Sequence, residues 1–165
     1  MAARGRAWKF GDNVTTDHIT LGKYMHLRSN LAELAKHTLE DTRPDFSSSV
    51  RTGDFVVAGK NFGAGSSREH APTIIKMLGV SAILAKSFAR IFYRNAINIG
   101  LPAIVCDTSA INDGDMLEVN LQEGTVKDLV TGIETKFKPL PKEMMKILSE
   151  GGIVNYVKKY GGLRF

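Results

Sequence analysis

Lys60–His70 reads KNFGAGSSREH. The apolar run before it, Phe55–Ala58 (FVVA), predicts a short buried strand, and the apolar-rich run after it, Ala71–Leu78, predicts a helix. The order is therefore strand, glycine-rich loop, helix. Gly63 and Gly65 allow the backbone to turn through positive φ and let a ligand approach the main chain closely. Free amides at the start of the following helix, together with its dipole, favour negative charge in the loop. Ser66, Ser67 and Arg68 add side-chain donors, and a guanidinium matches a carboxylate or phosphate through two parallel bonds. A small anion site is one reading. The plainer reading is that Ser66-x-x-Glu69 is a capping box and the serines only start a helix. Pro72 lacks an amide hydrogen, which is harmless only in a first helical turn, so the helix is expected to start at about Arg68–His70 with Ser66 before it, in the loop. A glycine-rich turn without a ligand stays open beside the anion site.

Working outward, Ala82–Ala85 (AILA) predicts a second buried strand. Phe88–Ile99 predicts a helix, with Phe88, Ile91, Phe92, Ala96 and Ile99 on one apolar stripe and Arg90 and Arg94 on the wetter side. Leu101–Val105 predicts a third strand. Phe55–Cys106 thus alternates strand and helix, the pattern of a parallel α/β unit, and ligands of such units sit beyond the carboxyl ends of the strands. The later chain changes character: Met116–Asn120, Thr125–Leu129 and Thr135–Phe137 alternate like antiparallel strands, and Glu143–Leu148 and Ile153–Lys159 read as short helices. Upstream, Ala7–Phe10 is a strand candidate. Gly11–Thr20 (GDNVTTDHIT) has loop chemistry; Asp17-His18 is either an acid beside an imidazole or an Asx-type turn with an exposed histidine. Gly22–Asn30 (GKYMHLRSN) is a polar-basic loop carrying Lys23, His26 and Arg28. Leu31–Leu39 has helical spacing with Asn30 as N-cap, and Asp45–Val50 reads as a further helical turn.

The chain of 165 residues suits a single domain over residues 1–165 with a proper core. Net charge is +5, but the basic residues are scattered, and no basic helix or aromatic-basic alternation argues for nucleic acid. An anionic substrate, an acidic partner or a solvated surface accounts for the charge as well. The single cysteine, Cys106, excludes an internal disulfide framework and a self-contained cysteine-ligated cluster, and it ends an apolar run like a core residue. The basic start MAARGRAW has no apolar stretch behind it, and no stretch reaches membrane-spanning length, so a cytoplasmic protein is expected. Neither His-x-x-x-His nor Cys-x-x-Cys spacing occurs, and no lysine follows the glycines as in a phosphate loop. His18 or His70 would be needed as a base beside a nucleophilic serine, and spacing does not choose between them. No complete active site is visible, which fits an anion loop whose other half lies on another chain.

GDNVTTDHIT, KNFGAGSSREHAP and KSFARIFYRNAINIGLP, in that order, resemble the small-subunit family of 3-isopropylmalate dehydratase, which corresponds to the swivelling fourth domain of the aconitase superfamily. The similarity spans nearly the whole chain. It implies an α/β fold, a three-layer β/β/α swivelling domain with a mixed sheet and a β-rich C-terminal part. It implies a hydro-lyase half-site, inactive alone, whose partner is a large subunit holding a 4Fe-4S cluster in a heterodimer or heterotetramer, with no cofactor on this chain. An isolated small subunit can also self-associate. By match to the family motif, Ser66 would be the catalytic base; Ser67 and Arg68 would hold a substrate carboxylate, and Asp17 would support the site by hydrogen bonding. In Gly22–Asn30, the loop expected to contact the variable part of the substrate, Tyr24, Met25 and Leu27 suit an isopropyl group, whereas His26 and Arg28 suit a distal carboxylate. Relatives acting on homocitrate, citrate or dimethylmalate share the core motifs, so the substrate is a small 2-hydroxy di- or tricarboxylate whose identity stays open. An RNA- or anion-binding module without chemistry is the non-enzyme alternative.

Overall fold

The structure is a computed structural model that describes residues 2–164. Seven strands form one sheet: β1 (Ala2–Lys9), β2 (Phe55–Ala58), β3 (Ala82–Ala85), β4 (Ala103–Val105), β5 (Met116–Asn120), β6 (Thr125–Asp128) and β7 (Glu134–Lys136). Their order is β4-β3-β2-β1-β5-β6-β7, parallel from β1 to β4 and antiparallel from β1 to β7. β1 is the hinge of the arrangement. Its first part runs antiparallel to β5, from Ala2 opposite Asn120 to Arg6 opposite Met116. Its last part, Ala7–Lys9, runs parallel to Phe55–Val57 of β2.

The apolar runs FVVA and AILA are buried at every position because both faces of the parallel strands are covered. Val56, Ala58, Ile83 and Ala85 face a layer of helices, joined there by Trp8 and Phe10. Phe55, Val57, Ala82 and Leu84 face the other way, onto Leu117, Val119 and Val126 of the antiparallel strands. The fold is therefore a three-layer β/β/α arrangement, as expected. The helical layer contains α1 (Thr16–Ile19), α2 (Leu31–Ala35), α3 (Phe46–Ser49), α4 (His70–Met77), α5 (Arg90–Asn98), α6 (Lys142–Ser149) and α7 (Ile153–Tyr160). Trp8 is a fixed point of that core. Its ring meets Phe46 edge-on at 5.4 Å, and its Nε1 donates to the buried carboxylate of Asp54 at 2.9 Å.

Several expectations need correction. β1 starts at Ala2, not Ala7, because its polar first half is fixed by backbone pairing with β5 rather than by burial. The expected helix Leu31–Leu39 closes at Ala35; Leu39 adopts a φ of +56° and donates its amide to Ile19, so local hydrogen bonding turns the chain. The segment read as a loop at Gly22–Asn30 is largely a 3-10 helix, Gly22–Leu27. Ile91, assigned to the apolar stripe of α5, is 53% exposed; Phe92 and Ala96 carry the contact with the core instead. Cys106 is buried as expected, and burial pushes its thiol up to about 12. Among the described residues no helix is long and apolar enough to cross a membrane.

Candidate active site

The loops that leave the carboxyl ends of β1, β2 and β3 meet at one end of the sheet. The glycine-rich loop lies between the other two. On one side the Gly63 amide donates to the Val14 carbonyl at 2.6 Å and the Thr16 amide donates to the Ala64 carbonyl at 2.8 Å. On the other, the Phe62 amide donates to Ser87 and the Ala89 amide to Phe62, at 3.0 and 2.9 Å. Phe62 anchors the loop beneath these contacts, with its ring 5.2 Å from that of Phe92. Gly63 has φ +84°, and a Cβ built there would lie 2.2 Å from Cγ of Phe92. Only glycine satisfies both the turn and the close approach of α5.

Beyond Gly65 the loop turns outward. Ser66 and Ser67 are exposed, and their hydroxyls have no partner among the described residues. The Ser66 carbonyl accepts the Thr16 hydroxyl at 2.8 Å, which holds its backbone in place. α4 starts at His70 and has no side-chain cap, so Ser66 is not spent on a capping box. Arg68 is held tightly. Its Nη2 lies 2.7 Å from Oδ1 of Asp17, and its Nη1 donates to the Thr20 carbonyl at 2.5 Å. Asp17 sits in α1, which opens with a capping box: the Thr15 hydroxyl accepts from the His18 amide, and His18 Nδ1 accepts from the Thr15 amide at 3.0 Å. His18 therefore builds the helix that presents Asp17. It is not a base for Ser66. His70 has a buried Nδ1 with no partner and likewise makes no bond to either serine.

Two cavities open on these residues. One, of about 200 Å³, lies between Ser66–Arg68, Thr16 and the start of α5 at Arg90, Ile91 and Asn95. The other, of about 420 Å³, lies between Ser67–His70, Asn95, Met25 and Arg28. Ser67, Arg68 and Asn95 line both, so the two are halves of one cleft. The structure brings together Asp17, Ser66, Ser67 and Arg68, and sets Arg28 across the second cavity. From the 3-10 segment, Met25 reaches the cleft; Tyr24 and Leu27 do not. Leu27 packs on the core, and Tyr24 stacks on His37 at 3.8 Å and donates to Glu40 at 3.1 Å. Burial raises the Tyr24 phenol, and the bond from His37 lowers the Glu40 carboxyl. Arg90, Ile91 and Asn95 were not singled out from sequence as site residues. The available signal was Arg90 itself, a cation in the first turn of a helix where the dipole disfavours it.

The cleft is cationic. Arg28, Arg68 and Arg90 face it, against Asp17 and Glu69, and Asp17 is engaged by Arg68. Arg28 and Arg90 have no side-chain partner among the described residues. Such a surface is electrostatically matched to carboxylates. Among the described residues no group of three His, Cys, Asp or Glu side chains could hold a metal ion. The single cysteine of the sequence, Cys106, is buried and lies outside both cavities.

Residues 13–108 match the family described as the aconitase C-terminal domain. The chain is 63% identical over 160 residues to the protein named 3-isopropylmalate dehydratase small subunit 2 of Archaeoglobus fulgidus, covering 97% of each chain. It is 54% identical over 156 residues to the methanogen homoaconitase small subunit of Methanothermobacter thermautotrophicus, covering 94% of this chain and 91% of that one. Its fold superposes on the crystal structure titled 3-isopropylmalate dehydratase from Methanocaldococcus jannaschii with a TM-score of 0.93 and 45% identity, covering 98% of this chain and 96% of that one. A cationic cleft built from the glycine loop, on this fold and with these relatives over nearly its full length, means that the chain belongs to the 3-isopropylmalate dehydratase small-subunit family of the aconitase superfamily.

Proposed function

We propose that the chain is the small subunit of a hydro-lyase that isomerises 2-isopropylmalate and 3-isopropylmalate in leucine biosynthesis, working in the cytoplasm. A proton leaves one carbon of the substrate and hydroxide leaves its neighbour, giving an alkene; water then adds back with the two positions exchanged. The observation that carries the reading is the pair of free, exposed hydroxyls of Ser66 and Ser67 beside a guanidinium fixed on Asp17, in an open cleft.

In this reading Ser66 removes the proton from the carbon beside a carboxylate and returns it after the alkene has turned. A bare serine is a weak base, so its alkoxide needs charge stabilisation. Arg68 and Arg90 on the walls of the same cavity supply it. Ser67 and Arg68 hold a carboxylate, and Asp17 keeps the arginine fork aimed at it. The hydroxyl leaving group requires a Lewis acid that this chain's residues do not fit. A 4Fe-4S cluster on a large subunit that closes over the cleft would supply that Lewis acid.

A second reading is supported by Arg28. An unpaired guanidinium beside Met25 suits a distal carboxylate as in homocitrate-derived substrates, and the methanogen homoaconitase relative keeps that reading alongside the first. Reconstitution with the iron–sulfur large subunit, followed by turnover on 2-isopropylmalate, homoaconitate and dimethylmalate, tests both. Turnover on 2-isopropylmalate alone is the expected result. Activity of the isolated chain would overturn the division of labour.

A further inference from the structure

Asn95 lies at the junction of the two cavities, on α5, opposite the serine loop. It is half-buried, and its neighbours on the helix, Phe92 and Ala96, are locked into the core. Its side-chain amide makes no hydrogen bond among the described residues and faces both cavities, so its donors are free for what enters the cleft. The group is neutral and offers two donors and an acceptor from a rigid helix. Arg68, which lines both cavities with it, has one nitrogen on Asp17 and another on the Thr20 carbonyl, so part of its fork is already engaged within the chain. A carboxylate resting on Ser67 and Arg68 therefore has room for a further donor, and Asn95 occupies that side.

We infer that Asn95 is a further substrate-binding residue, donating through Nδ2 to the carboxylate held by Ser67 and Arg68. The inference rests on the dehydratase reading for the identity of the ligand. A rigid donor at this point fixes the rotation of the carboxylate, and with it the carbon presented to Ser66. A neutral amide suits the position better than a fourth cation, since it orients the anion without competing with Arg68 for Asp17.

The test uses the complex with the iron–sulfur large subunit and the plain 2-hydroxy dicarboxylate malate as probe. Malate affinity is measured by calorimetry, separately from turnover. Asn95→Ala is expected to weaken malate by about tenfold, the loss of one charge-assisted hydrogen bond. Asn95→Asp, nearly the same shape, is expected to weaken it on the order of 100-fold, because like charges then face each other. Melting temperature and subunit assembly are expected to stay as in the wild type. Equal affinities for wild type and Asn95→Asp overturn the assignment, as does a loss in both variants that tracks impaired folding or assembly. A wild-type complex that binds malate but turns over none of the candidate acids contradicts the dehydratase reading alone, and the affinities of the variants still decide Asn95. A wild type that does not bind malate overturns both.

Discussion

Arg68 and Asp17 approach to 2.7 Å across the joint between the glycine loop and α1, and the same guanidinium donates to the Thr20 carbonyl at the end of that helix. Two bonds from one planar group fix its orientation as well as its position. The pair is partly exposed, with the side chains 21% and 62% accessible, so its contribution to stability is at most about 1 kcal/mol. Its value lies in aim. Arg68→Lys keeps the charge but cannot make both bonds, and Asp17→Asn removes the anchor's charge. Each is expected to lower kcat/KM of the reconstituted complex by roughly 100-fold, the usual size of a misplacement at a reacting centre. Each is expected to move Tm by less than about 4 °C. Kinetics alongside a melting curve checks the contrast; a large Tm loss with an equal loss of activity would make the pair structural.

The glycine loop offers a sharper test of packing. A methyl at Gly63 meets Phe92 at 2.2 Å in a left-handed conformation, while a methyl at Gly65 comes no nearer than 3.4 Å, to the Thr16 hydroxyl. Gly63→Ala combines overpacking with backbone strain and is expected to cost about 3 kcal/mol, or roughly 6–12 °C in Tm for a chain of this size. Gly65→Ala carries only the strain of φ +102° and is expected to cost about 1 kcal/mol. Thermal melts of the two variants side by side check the order.

These contacts also explain what the sequence could and could not convey. FVVA and AILA declare themselves as doubly buried strands, and GAGSSR declares a loop with donors, because each signal lies within a few consecutive residues. The start of β1 does not. AARGR is polar, and its structure comes from pairing with residues more than a hundred positions away. The same holds for the cleft. Ser66, Ser67 and Arg68 are legible as a run, but Asn95 joins them only because α5 packs with that edge toward the loop. Ile91 was misread for a related reason: it lies at the margin of a helical stripe, where periodicity alone cannot tell core from cavity wall. Of the two readings of Asp17-His18, an acid beside an imidazole or a local turn, the turn holds: the His18 ring caps the helix that carries both residues.

Cys106 provides a chemical check on the core. Burial raises its thiol to about 12, with the neighbouring Asp107 charge adding to the effect. Only the thiolate reacts, so at pH 8 the native protein is expected to resist iodoacetamide over hours. In denaturant the thiol returns to its ordinary range and is expected to be alkylated within minutes. Mass spectrometry of the two samples reads the difference. Rapid modification of the native chain would show that the sheet edge opens more readily than this packing allows.

Far from the cleft, a pair of buried acids makes stability depend on pH. Asp115 and Asp128 are both buried where β5 meets the end of β6. Asp128 Oδ1 accepts the amides of Val130 and Thr131, and Asp115 Oδ2 accepts the amide of Asn112 at 2.9 Å. The remaining oxygens leave the two acids facing each other. The facing Asp128 carboxyl, and then burial, raise the Asp115 carboxyl above its ordinary 3.8. A raised acid contributes stability that is fully present below its unfolded pKa and is lost as pH climbs through the folded value. Asp128 is shifted the opposite way, held down by Asp115 and by the amides of Thr131 and Val130 against its burial, so the penalty that grows above about pH 4 is carried by Asp115 alone. Asp115→Asn keeps an acceptor for Asn112 and gains a permanent donor for Asp128, so the penalty disappears. The variant is expected to melt higher than wild type at pH 7, with the gain shrinking to nothing as pH falls below about 4. Melting curves across that range decide it. A variant less stable at neutral pH would mean that two carboxylates tolerate each other there through solvent that this geometry does not admit.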